Sequence, residues 1–527
     1  MIFWIFPFPR AADRWVKIMG KPMKPLSPEL SKFRKEAKHL KKAFIAADPD
    51  AIARITKHIS QSKVPKHADF LFIIAREQGH DSWPKLKFAI ETTGMSWSQK
   101  VKRLSSALYL GQKWVVEKLL AQDPELPNGN LDLQIALYDK AAVTKAINKD
   151  PAVATREING RLPLHHLCFS HYIHIVPVKK ADMLALAELL VKNGADINLG
   201  MQPEKQGGEE TGHLLSPLYG ALGHANNMDL ASWLLDNGAD PNDNESLYHA
   251  TELGHHEGLK LLIKHGVKPQ GTNALARALD FNDLTAVSLL LDHGADPNEI
   301  ARNHPSGQPV DTIPALHQAA RRQCSAAMAR LLLENGADPN YIWQGHSAYA
   351  LALIHGNAEF AEVIKENARV FPLTHNEEVL ASCASGAPSG RLCGELGNED
   401  HLLINKLITE PDRLDHVKAL VSVGLDINQV DGMNLPPLHA AGWAGLPDQV
   451  EYLLSFNPDL EYLNGFGGNA FFTTLHGAAN CPEREQRDHI ACADLLLKAG
   501  ATFPSSTMHQ TGSENMASFL ENWLEEN

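Results

Sequence analysis

Leu189-Leu190-Val191-Lys192-Asn193-Gly194-Ala195-Asp196-Ile197-Asn198 holds a helix end and a turn within one short stretch. The apolar residues leading into it, Leu184, Leu186, Leu189 and Leu190, recur at helical spacing. Gly194 then stops the helix, because glycine takes the left-handed conformation that closes a last turn. The Asp and Asn that follow bond their own backbone, and in other copies a Pro between them fixes φ. The stretch reads as helix, stop, tight turn.

It is repeated. Strong copies are Leu234-Leu235…Gly238-Ala239-Asp240-Pro241-Asn242, Leu290-Leu291…Gly294-Ala295-Asp296-Pro297-Asn298 and Leu332-Leu333…Gly336-Ala337-Asp338-Pro339-Asn340. Worn copies are Leu261-Leu262…Gly266, Leu420…Gly424-Leu425-Asp426-Ile427-Asn428, Leu453-Leu454…Asn457-Pro458-Asp459 and Leu496-Leu497…Gly500-Ala501. A phrase returning about every 30 to 45 residues means an array of small units. A second phrase precedes each stop, clearest as Leu162-Pro163-Leu164-His165, Pro314-Ala315-Leu316-His317-Gln318-Ala319-Ala320 and Pro437-Leu438-His439-Ala440-Ala441. Pro suits a first helical position, and the Ala-rich run after it suits close packing. Each unit therefore holds a short helix opened by Pro and a longer one closed by Gly.

Pro-Leu-His-x-Ala-Ala followed by Leu-Leu-x-x-Gly-Ala-Asp-x-Asn resembles the ankyrin repeat. The family's usual opening Thr is mostly absent; Ser216-Pro217-Leu218 and Ile313-Pro314-Ala315-Leu316 come nearest to it. The resemblance implies an all-α repeat fold, an ankyrin-type solenoid of helix-turn-helix units joined by short β-turns. Nine units are expected between about 159 and 501, with two fainter ones upstream. Long spacings, such as the 44 residues from Gly194 to Gly238, place insertions at 199–214, 299–312, 386–400 and 480–488. In a stacked array such insertions project into solvent.

The expected organisation is 1–22 as a disordered segment or a translation-start artefact, 23–98 as a helical head, 99–158 as degenerate repeats, 159–505 as the array and 506–527 as a capping helix. Ser27-Pro28-Glu29 and Asp48 open head helices, and a third, about Ala68 to Gln78, ends at Gly79. The stretch Ala68-Asp69…Ala75-Arg76-Glu77-Gln78-Gly79…Ser82-Trp83-Pro84-Lys85-Leu86-Lys87 is similar to a segment preceding ankyrin repeats in many bacterial proteins, which implies a bacterial source. Trp83 is expected to pack the head onto the first repeat. At the far end Met516, Phe519, Leu520 and Trp523 form a stripe able to cover the last repeat.

Charge is segregated. Residues 1–120 carry 23 Lys and Arg against 10 Asp and Glu; the remaining residues carry 26 against 52. The head is thus strongly basic and the array strongly acidic, so the two face different partners or each other. Lys32, Arg34, Lys35, Lys38, Lys41 and Lys42 form one basic run, which reads first as a solvated helix face. Its lack of interleaved aromatics argues against nucleic acid. The apolar start, Met1 to Pro9, is too short to span a bilayer and lacks a basic n-region. Six cysteines without a Cys-x-x-Cys pair point to reduced thiols in a cytoplasmic protein, and a monomer is expected; a secreted effector is an option that no residue supports.

The 26 histidines invite a search for chemistry. His165, His317, His439 and His476 follow a Leu as in the family's motif, where the imidazole bonds a neighbouring turn. The dense cluster His165, His166, Cys168, His171 and His174 has zinc-ligand chemistry, but its first member is already assigned. Gly465-Phe466-Gly467-Gly468 follows no strand and lacks a nearby Lys, so it is no phosphate loop. No catalytic site, metal or cofactor is expected. The resemblance implies protein partners bound on the concave face, at the turn tips and first helices. Aligned on the Leu-His phrase, the variable helix position is Glu252, Asp280, Arg321, Ile354 and Trp443; Tyr341 and Trp343 fall on the turn after Asn340. The candidates for partner binding are Arg321, Tyr341, Trp343, Trp443, Glu252 and Asp280. The alternative reading is an array that targets an attachment activity of the basic head toward an acidic membrane surface or nucleic acid.

Overall fold

The computed structural model describes residues 28–59, 65, 67–202, 214–300, 313–503 and 513–526. The segment expected at 1–22, the cap at Ser27 and most of the insertions at 199–214 and 299–312 lie outside them. Each recurring phrase ends a helix as its chemistry dictates. Gly294 and Gly336 sit at φ +90° and +86°, where only glycine is unstrained. The Gly294 N–H donates to the Leu291 carbonyl and the Ala295 N–H to the Leu290 carbonyl, both at 3.0 Å. This pair of bonds satisfies the carbonyls a helix end leaves over. The residue before the glycine adds a third: the amides of Asn193, Asn237 and Asn335 donate to the carbonyl four residues back at 2.7–2.8 Å.

The following Asn then joins neighbouring units. The Asn298 amide donates to the Gly336 carbonyl at 2.8 Å and accepts from the Asp338 N–H at 2.7 Å. Asn198 makes the same pair of bonds to Gly238 and Asp240. The phrase is thus both the stop of one unit and the staple to the next.

The helices pair as the phrases require, and the fold is an all-α repeat solenoid. Contacts divide the chain into two compact units. In the first, Ser96–Ala384, eight helix pairs follow one another among the described residues, from Trp97–Tyr109 with Lys113–Gln122 to Ala348–Ile354 with Ala358–Asn367. A single continuous core of Leu, Ala, Val and Ile runs from Ile135 to Ile364. One two-stranded finger stands out, β1 (Ile342–Trp343) with β2 (His346–Ser347), paired antiparallel across Gln344 and Gly345 at φ +51° and +92°. Ser347 then caps the next helix by accepting from the Ala350 N–H at 3.2 Å.

The second unit joins the head, up to Met95, to the chain from Ser385 onward. Among the described residues the head has four helices: α1 (Pro28–Ile45), α2 (Pro49–Thr56), α3 (His67–Glu77) and α4 (Trp83–Thr93). Trp83, expected at the joint with the first repeat, is buried in the head's own cluster with Leu30, Leu40, Phe70 and Ile74. Three helix pairs follow, ending in Ala470–Asn480 with His489–Lys498. The terminal helix Glu514–Glu526 packs against both His489–Lys498 and α3, with Met516, Ala517 and Leu520 buried. The stripe at the end of the sequence therefore meets the head as well as the last repeat.

The closest approach in this unit depends on two glycines. A Cβ on Gly442 would strike the Thr474 hydroxyl, and one on Gly477 would strike the Trp443 carbonyl. Their absence lets Pro437–Ala444 and Ala470–Asn480 come together along their length.

Candidate protein interface

Four of the six candidate residues belong to one chain of contacts in the first unit. His249 lies between two carboxylates, with Nδ1 2.8 Å from Glu252 and Nε2 3.2 Å from Glu245. The other Glu252 oxygen accepts from Arg277 Nε at 2.7 Å. Arg277 is 2% exposed and donates on to Asp280 at 3.1 Å. Asp280 accepts from Arg322 Nε at 2.8 Å and from the Gln318 amide at 2.5 Å. Gln318 in turn accepts from Arg321 at 2.7 Å, and the Arg321 guanidinium lies 5.7 Å over the Trp343 ring. The line runs from the helix Ser246–Ala250 through Ala274–Asp280 and Ala315–Arg321 to the finger.

Its electrostatics follow from burial and pairing. Burial pulls the His249 pKa down, but Glu245 and Glu252 outweigh it and hold it up at about 9. Burial raises the Glu252 carboxyl, and His249 and Arg277 more than offset it, so Glu252 titrates below the ordinary range. Asp280 and Glu252 thus direct their carboxylates into the molecule. Ile354, at the same position of its repeat, is 2% exposed and part of the core.

The finger is braced from beneath. Trp343 is buried, with its ring 6.4 Å from His317, and His317 Nε2 meets the His346 carbonyl at 3.2 Å. Next to it Tyr341 and Ile342 are 37% and 49% exposed. The exposure of Ile342 was not legible in the sequence, since a lone Ile on a turn carries no repeat signal. Trp443 lies in the other unit, where its carbonyl accepts from His489 Nε2 at 2.9 Å.

The histidine motif has a structural reading. His165 and His317 each stand three residues after the helix cap and meet the carbonyls of Leu215 and His346 at 3.2 Å. His439 holds the same place but turns Nδ1 to the Asn464 amide at 3.3 Å. His476 does not hold it. The helix Ala470–Asn480 is capped by Asn469, so Phe472 takes the third position and His476 sits a turn later. In the dense cluster, His165, His166 and His174 each meet a different carbonyl, of Leu215, Ile158 and Ala225. Among the described residues no group of His, Cys, Asp and Glu is placed to hold a metal ion. In the glycine-rich loop the Phe466 and Gly468 N–H groups converge on the Asn464 side chain, which occupies the space an anion would take.

The decisive comparison is with families of known repeats. Residues 218–301 match the family described as "Ankyrin repeats (3 copies)" and residues 313–343 match "Ankyrin repeat". The chain contains ankyrin repeats. Among solved structures, the human ASB11 ankyrin repeat domain shares 19% identity with it, covering 43% of this chain and 84% of that one, at a TM-score of 0.22. An ankyrin repeat domain from Acinetobacter baumannii AYE shares 21% identity, covering 39% of this chain and 97% of that one, at a TM-score of 0.30. No curated protein matches the sequence. Ankyrin repeats are, as a family, non-enzymatic modules of protein–protein interaction. Among the described residues no helix is long and apolar enough to cross a membrane.

Proposed function

We propose that this ankyrin repeat protein is a non-enzymatic scaffold that holds a partner protein on the concave face of its first unit, with the finger at 341–347 as the central contact. The observation that supports this most is the exposed pair Tyr341 and Ile342 on a finger whose base is fixed by Trp343, Arg321 and His317. An aromatic and an aliphatic side chain on a rigid support is the form of an interface anchor, because little entropy is lost when it docks. Arg321 and Trp343 then hold the anchor, and Glu252 and Asp280 fix the orientation of Arg277 and Arg322 along the same face. Trp443 is a second candidate, in the other unit.

The test is affinity capture with the full chain, comparing the natural protein with a Tyr341→Ala, Ile342→Ala double variant. Loss of the captured partner from a variant that melts at the natural temperature supports the reading. Equal capture by both moves the site away from the finger.

A further inference from the structure

We propose that α1 is a docking surface for an anionic lipid surface. Lys32, Lys35, His39 and Lys42 are all exposed, and their spacing of three, four and three residues sets them in one line along the helix. Leu30, Ala37 and Leu40 occupy the opposite, buried side. None of the four has a hydrogen-bond or ion-pair partner among the described residues. Some exposed lysines elsewhere are paired, as Lys180 is with Asp229 at 2.7 Å, Lys192 with Glu188 at 2.5 Å and Lys498 with Asp494 at 2.6 Å. The acid on this helix nearest the line, Glu36, is held by Arg54 at 3.1 Å. The line ends at Ile45, which is 72% exposed, beside α2 with Ile52 at 38%.

Three features select lipid over other anions. Three of the four are lysines, point charges suited to a diffuse headgroup layer and without the planar fork that Arg brings to phosphate geometry. No aromatic side chain stands in the line to stack on bases. Exposed isoleucines, Ile45 and Ile52, continue it. A basic stripe alone holds a protein weakly at a membrane; a basic stripe with an apolar signal holds it firmly.

The experiment is sedimentation of the full chain with vesicles of phosphatidylserine and phosphatidylcholine, against phosphatidylcholine alone, at low and high salt. The anionic vesicles are expected to retain the protein, less so as salt rises, and the neutral ones to leave it in solution. In a Lys32→Gln, Lys35→Gln, Lys42→Gln variant partitioning falls roughly a hundredfold, at about fivefold per lysine. The thermal melt stays unchanged, since these side chains are exposed and make no ion pair among the described residues. No retention at low salt overturns the proposal, as does equal retention of the variant. So does a stripe-dependent affinity for an oligonucleotide, or stripe-dependent self-association, without vesicle binding.

Discussion

Asn298 reaches from its own turn to the Gly336 carbonyl at 2.8 Å, and the Asp338 N–H returns a bond to the same side chain at 2.7 Å. Two units are thereby tied through one side-chain amide. Asn298→Ala removes both bonds and leaves the Gly336 carbonyl and Asp338 N–H to solvent. Each such bond is worth about 0.5–1.5 kcal/mol net, so chemical denaturation should show a loss of about 1–3 kcal/mol. An unchanged midpoint would mean the staple is decorative.

Asp280 holds Arg277, Arg322 and Gln318 together at 4% side-chain exposure. Asp280→Ala leaves buried Arg277 without that partner, and breaking a buried pair from one side costs about 3–5 kcal/mol. The same change at exposed Asp415, whose partner is Lys418 at 3.2 Å, should cost less than about 1 kcal/mol. Equal melting shifts in the two variants would refute the difference in burial.

Gly477→Ala opposes two effects. Alanine is the better helix former by about 1 kcal/mol. Its methyl would meet the Trp443 carbonyl, a backbone atom that cannot step aside cheaply. Overpacking of this kind costs about 1–3 kcal/mol, so the variant should be less stable than the natural protein. A higher melting temperature would show that the two helices part easily.

Stability should fall on mild acidification. Burial lowers the pKa of His165, His224, His317, His416 and His439 to about 4, against about 6.5 in an unfolded chain. Between these values the unfolded state binds more protons, so stability rises with pH. The contribution is complete above 6.5 and is lost as pH falls toward about 4. Urea titrations at pH 7.5, 6 and 5 should show decreasing midpoints; a flat profile contradicts the buried neutral rings. His249 acts in the opposite sense. Its pKa of about 9 means its stabilisation is complete below 6.5 and lost as pH rises through 9, and His249→Gln should remove that decline.

The helix pairs were legible because each stop phrase carries its own cause: the glycine, the turn Asp and the Asn lie within a few residues of the helix they end. The ladder was not legible in that way. The bonds that carry Glu252 and Asp280 from one repeat to the next leave no local mark, because the partners Arg277, Gln318 and Arg322 lie 25, 38 and 42 residues further on. His476 follows a Leu as the motif histidines do, but the register there is set by the cap at Asn469. Trp83 and the terminal stripe were read with the neighbours that sequence order suggests. The packing of α3 against Glu514–Glu526 joins opposite ends of the chain and leaves no local trace.

That same packing sets an order of events at the ribosome. Repeats close on neighbours a few dozen residues away and can form as they emerge. The helix His67–Glu77 has to wait for Glu514–Glu526, an interval of roughly 20 to 90 s at about 5–20 residues per second. Through that interval a segment made early stays incomplete, and its waiting face is open to chaperones until Glu514–Glu526 emerges.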